Sequence, residues 1–110
     1  MNISYFVFYR GGAADPESFI QRYADTHVPI LRTWPGLREV VLHTPISWVD
    51  PQPVERAGLA LLTEMRFDSV ADLATALTSP ERKDARTDFH RFPPFDGLVY
   101  HQAMQSRSIG

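Results

Sequence analysis

His27 is the side chain in this sequence best suited to chemistry. An unperturbed imidazole titrates near neutrality (~6.5), so in a sheltered place it moves a proton in an isomerisation, a lactone opening or a cyclisation. Tyr23 lies one helical turn before it and Trp34 about two turns after. The tyrosine offers a hydroxyl donor, and both rings offer a wall for a flat molecule, although either would also serve as core packing. Tyr9 and Arg10 end an aromatic run, where the guanidinium fork suits a carboxylate or enolate oxygen. Tyr23 and Arg10 are therefore the expected oxyanion partners of a catalytic His27. Phe89, His90 and Phe92, in "TDFHRF", suggest a segment that closes over a cavity. Together with Tyr9 and Trp34 they are the expected substrate walls. Asp88 stands two before His90, and residues two apart do not face each other on a helix, so it is a poor orienting partner for that ring. A purely structural use of His27 is equally available: the ring would hydrogen-bond a carbonyl freed by Pro29.

Other chemistries find no support. Histidines at 27, 43, 90 and 101 form no His-x-His or helical His-x-x-x-His pair, so no metal is expected. Haem ligation by His27 or His90 lacks a supporting signature. With no cysteine there is no disulfide, thiolate ligand or cysteine nucleophile. "RGGAAD" has neither the spacing nor the lysine of a phosphate cradle, and a serine nucleophile elbow is missing.

These residues need elements to position them. Residues 3–10, "ISYFVFYR", read as a strand whose two faces are Ile3, Tyr5, Val7, Tyr9 and Ser4, Phe6, Phe8, Arg10. Both faces are largely apolar, which predicts cover on each side. "GGAAD" reads as a turn. Asp15 caps a helix with Pro16 in its first turn, and the helix runs to about Thr26. Pro29 then kinks or restarts it, and Pro35-Gly36 ends it. A second strand is expected over 37–47, a long proline-containing loop over 48–58, and a third strand over 58–67. Asp68 or Ser69 caps the next helix, Ser79 and Pro80 restart it, and residues 98–104 form a last strand. On that strand Tyr100 and His101 face opposite sides, and His43 is expected near the sheet surface.

The order β-α-β-β-α-β is that of a ferredoxin-like α+β fold: an antiparallel sheet with both helices on one face. The uncovered face then calls for a partner, and a homodimer packed sheet to sheet is expected. The 110 residues, 44% hydrophobic and 12% aromatic, fit a single domain spanning 1–110. A formal charge of −2 and no basic run argue against nucleic acid. "MNISYFVFYRGG" lacks a basic leader and is too short to span a membrane, so a cytoplasmic location is expected.

Tyr9-Arg10-Gly11, Phe19, Tyr23, His27-Val28-Pro29-Ile30 and Pro35-Gly36-Leu37 together resemble the EthD-like members of the dimeric α+β barrel superfamily. The resemblance covers about the first 40 residues; beyond them only the element order and the aromatic end of the last helix agree. It implies a homodimer whose two sheets close a barrel, with a pocket in each subunit between helices and sheet. It also implies a small apolar or aromatic ligand handled without a bound organic cofactor. Relatives of this kind include lactone isomerases, polyketide cyclases and small monooxygenases. The expected function is a dimeric catabolic enzyme acting by proton transfer on a cyclic or aromatic-derived molecule. The alternatives are a non-catalytic binding protein of a degradation pathway and a cofactor-free monooxygenase.

Overall fold

The helices begin where short polar side chains replace missing backbone partners. In the computed structural model, which describes residues 2–110, Asp15 accepts from the Ser18 amide at 3.2 Å and Pro16 opens α1 (Pro16–Arg22). Ser69 caps α3 (Val70–Leu77) through the Asp72 amide at 3.0 Å. Ser79 caps α4 (Pro80–Phe89), again with proline in the first turn.

The expected break at Pro29 takes a specific form. After α1 the chain widens into a π-helical turn, Tyr23–His27, whose following amide at Val28 bonds back to the Tyr23 carbonyl. The short α2 (Val28–Leu31) then carries Pro29 in its own first turn, where its missing N–H costs nothing. The helical path continues through Pro29 without a break.

Four strands pair antiparallel in the order β2-β3-β1-β4, the ferredoxin-like arrangement. They are β1 (Asn2–Ala13), β2 (Glu39–His43), β3 (Leu59–Phe67) and β4 (Phe95–Ser106). Three boundaries differ from the sequence reading. The central strand does not turn at Gly11; it continues to Ala13 because β4 pairs with it along that whole length. Gly11, at φ 129°, faces Gly97 across the ladder, and a Cβ on Gly97 would sit 2.0 Å from the Arg10 carbonyl oxygen. Only glycine permits that approach. The last strand is correspondingly longer than 98–104. The second strand stops at His43, two residues before Pro45, which leaves residues 44–58 as one long loop.

The sheet's two faces differ in cover. Ile3, Tyr5, Val7 and Tyr9 of β1 join Leu61, Met65 and Phe67 of β3 under the helices, where they are buried with Phe19, Tyr23, Leu31 and Trp34. The opposite face carries Phe6 and Phe8, flanked by Val41, Leu62, Tyr100 and Met104, and no helix among the described residues packs on it. Tyr100 therefore looks away from the helices and His101 toward them, as the alternation requires.

Candidate functional site

His27 lies at the end of the π-helical turn and is 5% exposed. Its Nδ1 is 2.8 Å from Asp88 Oδ2, on α4. Asp88, 4% exposed, also receives two parallel bonds from Arg22, each 2.7 Å. The Arg22 hydrogen bonds outweigh burial and, with His27, hold the Asp88 carboxyl down at about 2. Asp88 is thus a carboxylate and can only accept, so the His27 proton is assigned to Nδ1 and the lone pair of the neutral ring to Nε2. Burial lowers the His27 pKa, against the raising effect of Asp88, which favours that neutral ring. The Pro29-freed carbonyl expected to hold this ring is not its partner; a carboxylate from another helix is.

Around the ring sits an aromatic shell. The Tyr23 ring lies 4.8 Å from His27, tilted by 45°, and Phe92 meets His27 edge-on at 4.7 Å. The Tyr23 hydroxyl accepts from Thr63 Oγ1 at 2.7 Å, and burial holds its pKa up at about 12. Tyr9, likewise raised by burial, packs against Phe19, Tyr23 and Phe92.

Between this layer and the sheet lies a cavity of about 40 Å³. His27, Tyr23, Tyr9, Trp34 and Phe89 all line it, which brings five of the eight sequence-predicted residues together. The other three stand elsewhere. Arg10 is exposed, in phase with the uncovered face of the sheet, and is not part of the cavity. His90 is exposed at the end of α4, because its ring leaves the helix's buried stripe. Phe92 backs His27 from outside the lining. At this volume the cavity holds a few water molecules and is smaller than the ~150 Å³ apolar space that takes a benzene ring. A ring-sized ligand therefore requires side chains at the mouth to move.

The mouth is polar and was not anticipated. Tyr5 Oη stands 2.6 Å from His101 Nδ1, and Arg82 Nη2 donates to the same hydroxyl at 3.3 Å. Since that oxygen receives the guanidinium N–H, its own proton is assigned to His101. Burial, then Arg82 and Arg86, hold the His101 pKa below its usual value, in keeping with an accepting, neutral ring. Tyr5, Arg82, Arg86 and His101 line both the cavity and a wider surface groove, so they form the passage between the two. Alternation on β1 placed Tyr5 with Tyr9 on one face, but only the register with β4 shows that His101 meets it. Asp88 was the other omission. On α4 it shares a buried stripe with Ala85, just before Phe92 in the turn that follows, and a carboxylate on an apolar stripe needs a cation.

Trp34 adds one more group: it is 6% exposed, lines the cavity, and its Nε1 has no hydrogen-bond partner among the described residues. Among those residues no cluster of three His, Asp or Glu side chains is placed to hold a metal ion. No helix is long and apolar enough to cross a membrane.

Known proteins bear on this arrangement. An ethyl tert-butyl ether D family protein from Bacillus halodurans has the same fold, with a TM-score of 0.75, 23% identity, and 97% of this chain and 100% of that one covered. SnoaB, a cofactor-independent oxygenase from Streptomyces nogalater, shares the fold at a TM-score of 0.59 and 14% identity, over 98% and 95% of the chains. An uncharacterised 11.0 kDa protein from the thcB–thcC intergenic region of Rhodococcus erythropolis is 30% identical over 79 residues, 72% of this chain and 73% of its own. The EthD domain model matches residues 12–99, a span that includes His27, Asp88 and the whole helical layer, and the chain belongs to the EthD domain family.

Proposed function

We propose that the protein is a small-molecule enzyme that transfers a proton on a compact cyclic or aromatic-derived substrate without a cofactor, with His27 as the acid/base group. One observation carries the reading: a buried histidine lines the cavity with its Nδ1–H held by an ionised Asp88, and among the described residues its Nε2 has no hydrogen-bond partner. Asp88 fixes the tautomer and favours the imidazolium that forms when the ring takes a proton. Arg22 keeps Asp88 from competing for that proton, since a carboxyl held at about 2 is a weak base. Tyr23 supports the His27 ring by a tilted ring contact, while its hydroxyl is engaged by Thr63.

The test is turnover on a panel of unsaturated lactones and phenols, comparing the wild type with His27→Ala. Loss of turnover with the fold and melting behaviour preserved supports the assignment. Unchanged turnover in the variant sinks it. Binding without turnover by the wild type favours the second reading, a ligand-holding accessory protein, which the small, largely apolar cavity also suits. The fold shared with a cofactor-independent oxygenase makes dissolved-oxygen consumption a further readout on the same panel.

The working unit in this reading is a homodimer joined through the uncovered sheet face. Phe6, Phe8, Val41, Leu62, Tyr100 and Met104 make that face apolar. Its one buried acid is already satisfied: Glu64 takes hydrogen bonds from Ser4 at 2.8 Å, Arg66 at 3.1 Å and His43 at 3.1 Å. These outweigh burial and hold it at about 2, so covering the face leaves no orphaned carboxylate. Light scattering at micromolar concentration checks this, and a monomer would contradict it.

A further inference from the structure

The passage into the cavity has an excess of positive charge that the proton-transfer reading does not use. Arg82 and Arg86 are one turn apart on α4, an arrangement in which like charges repel. Lys83 joins them at the surface groove. No salt bridge connects any of the three to a carboxylate among the described residues, although the other close ion pairs of this chain draw on Arg22, Arg38 and Arg66. Arg82 spends its donors on the Tyr5 hydroxyl and the Leu77 carbonyl, both at 3.3 Å, and the Arg86 guanidinium lies 5.3 Å over the Phe89 ring. Both are long or weak engagements for a guanidinium. Deeper in the same cavity the Trp34 Nε1–H is buried and unpartnered. An unpaired buried donor is costly, which a bound acceptor relieves.

We propose that Arg82 and Arg86, together with Tyr5 and His101, form an anion-binding gate for the carboxylate of a small aromatic or alicyclic acid whose ring enters toward Trp34. The carboxylate takes the two guanidinium groups in place of the Tyr5 bond, which frees Tyr5 and His101 to swing and widens the cavity for the ring. An oxygen substituent across the ring from the carboxylate meets the Trp34 donor. The apolar stretch between the two ends is supplied by Val7, Leu31, Met65 and Phe89. This specifies the substrate class of the proposed enzyme and rests on the reading of the cavity as its substrate site; it does not depend on His27 being catalytic.

The experiment reads binding, not turnover. The chain has two tryptophans, and Trp48 lies in the 44–58 loop, away from the cavity. In a Trp48→Phe background, Trp34 fluorescence reports the cavity alone. Benzoate and 4-hydroxybenzoate are titrated beside benzamide at one pH and ionic strength, in the parent and in Arg82→Gln, Arg86→Gln and the double variant. Far-UV circular dichroism checks each fold, and the single variants cover the case in which the double variant unfolds. The expected result is saturable quenching or shift by the acids, roughly tenfold weaker in each arginine variant, with benzamide weak throughout and little changed. Equal binding of acid and amide, or acid binding indifferent to both arginines, overturns the gate while leaving the cavity reading intact. No change of Trp34 emission with any ring compound overturns both.

Discussion

Replacing Asp88 with asparagine keeps the shape of the side chain and removes the charge on which Arg22 and His27 converge. The Asp88 carboxyl is held at about 2 against an ordinary 3.8. At about 1.4 kcal/mol per pH unit, that gap corresponds to ~2 kcal/mol of folding stability at neutral pH. For a chain of this length the melting entropy is roughly 0.2 kcal/mol per degree, so Asp88→Asn should lower Tm by about 10 °C at pH 7. The sign of the pH dependence follows from the direction of the shift. A depressed carboxyl stabilises above its unfolded value and loses that contribution as pH falls toward its folded value. The gap between wild type and variant should therefore be full at pH 7, about half by pH 3, and nearly gone at pH 2. Urea unfolding of both proteins at matched concentration, from pH 7 down to 3, measures it. A gap at pH 7 within experimental error, or one that does not shrink on acidification, would refute the reasoning. Arg38–Asp68 is the built-in contrast: at 2.6 Å it is as short, but its side chains are 68% and 56% exposed. Asp68→Asn should leave Tm unchanged within error, because water already solvates both ions.

Four further outcomes are expected. Thr63→Val leaves the buried Tyr23 hydroxyl without its donor and should cost ~1–3 kcal/mol in urea unfolding; a neutral effect would mean that hydroxyl finds another partner. Gly97→Ala pushes a methyl into the Arg10 carbonyl and should destabilise by roughly 1–3 kcal/mol, visible as faster amide exchange along Tyr9–Ala13. His27 titrates below its ordinary 6.5, so below that pH the unfolded chain takes up a proton that the folded chain refuses, and stability falls. His27→Gln should flatten the stability profile between about pH 6.5 and 5. The ring resonances of His27 should titrate lower still in Asp88→Asn, which removes the acid that favours its charged form.

Much of this architecture was written locally. Asp15-Pro16, Ser69 and Ser79-Pro80 start helices through contacts within a few residues, so they can be read without the fold. The alternation in β1 likewise showed two apolar faces before any partner was known. The strand lengths were not local, since β1 continues past Gly11 only because β4 lies beside it. Site residues divide the same way. His27, Tyr23 and Trp34 share a segment whose spacing shows in one dimension, whereas Asp88 reaches His27 across 61 positions and His101 reaches Tyr5 across 96. Arg10 misled because a basic residue at a strand end looks the same whichever face it takes; the needed cations came from α4 instead.

The π-helical turn at Tyr23–His27 makes the first helix a ruler with one inserted mark. An ordinary α-helix advances about 100° per residue, so a single added residue that is not absorbed as a bulge rotates everything beyond it. Upstream, α1 aims Phe19 at the sheet; downstream, α2 and the turn after it aim Leu31 and Trp34 there. Both phases are satisfied only because the wide turn takes up the extra residue between them. Deletion of a single residue from 24–26 should therefore do more harm to the cavity than any substitution there, by turning the Trp34 edge of the site away from the His27 edge.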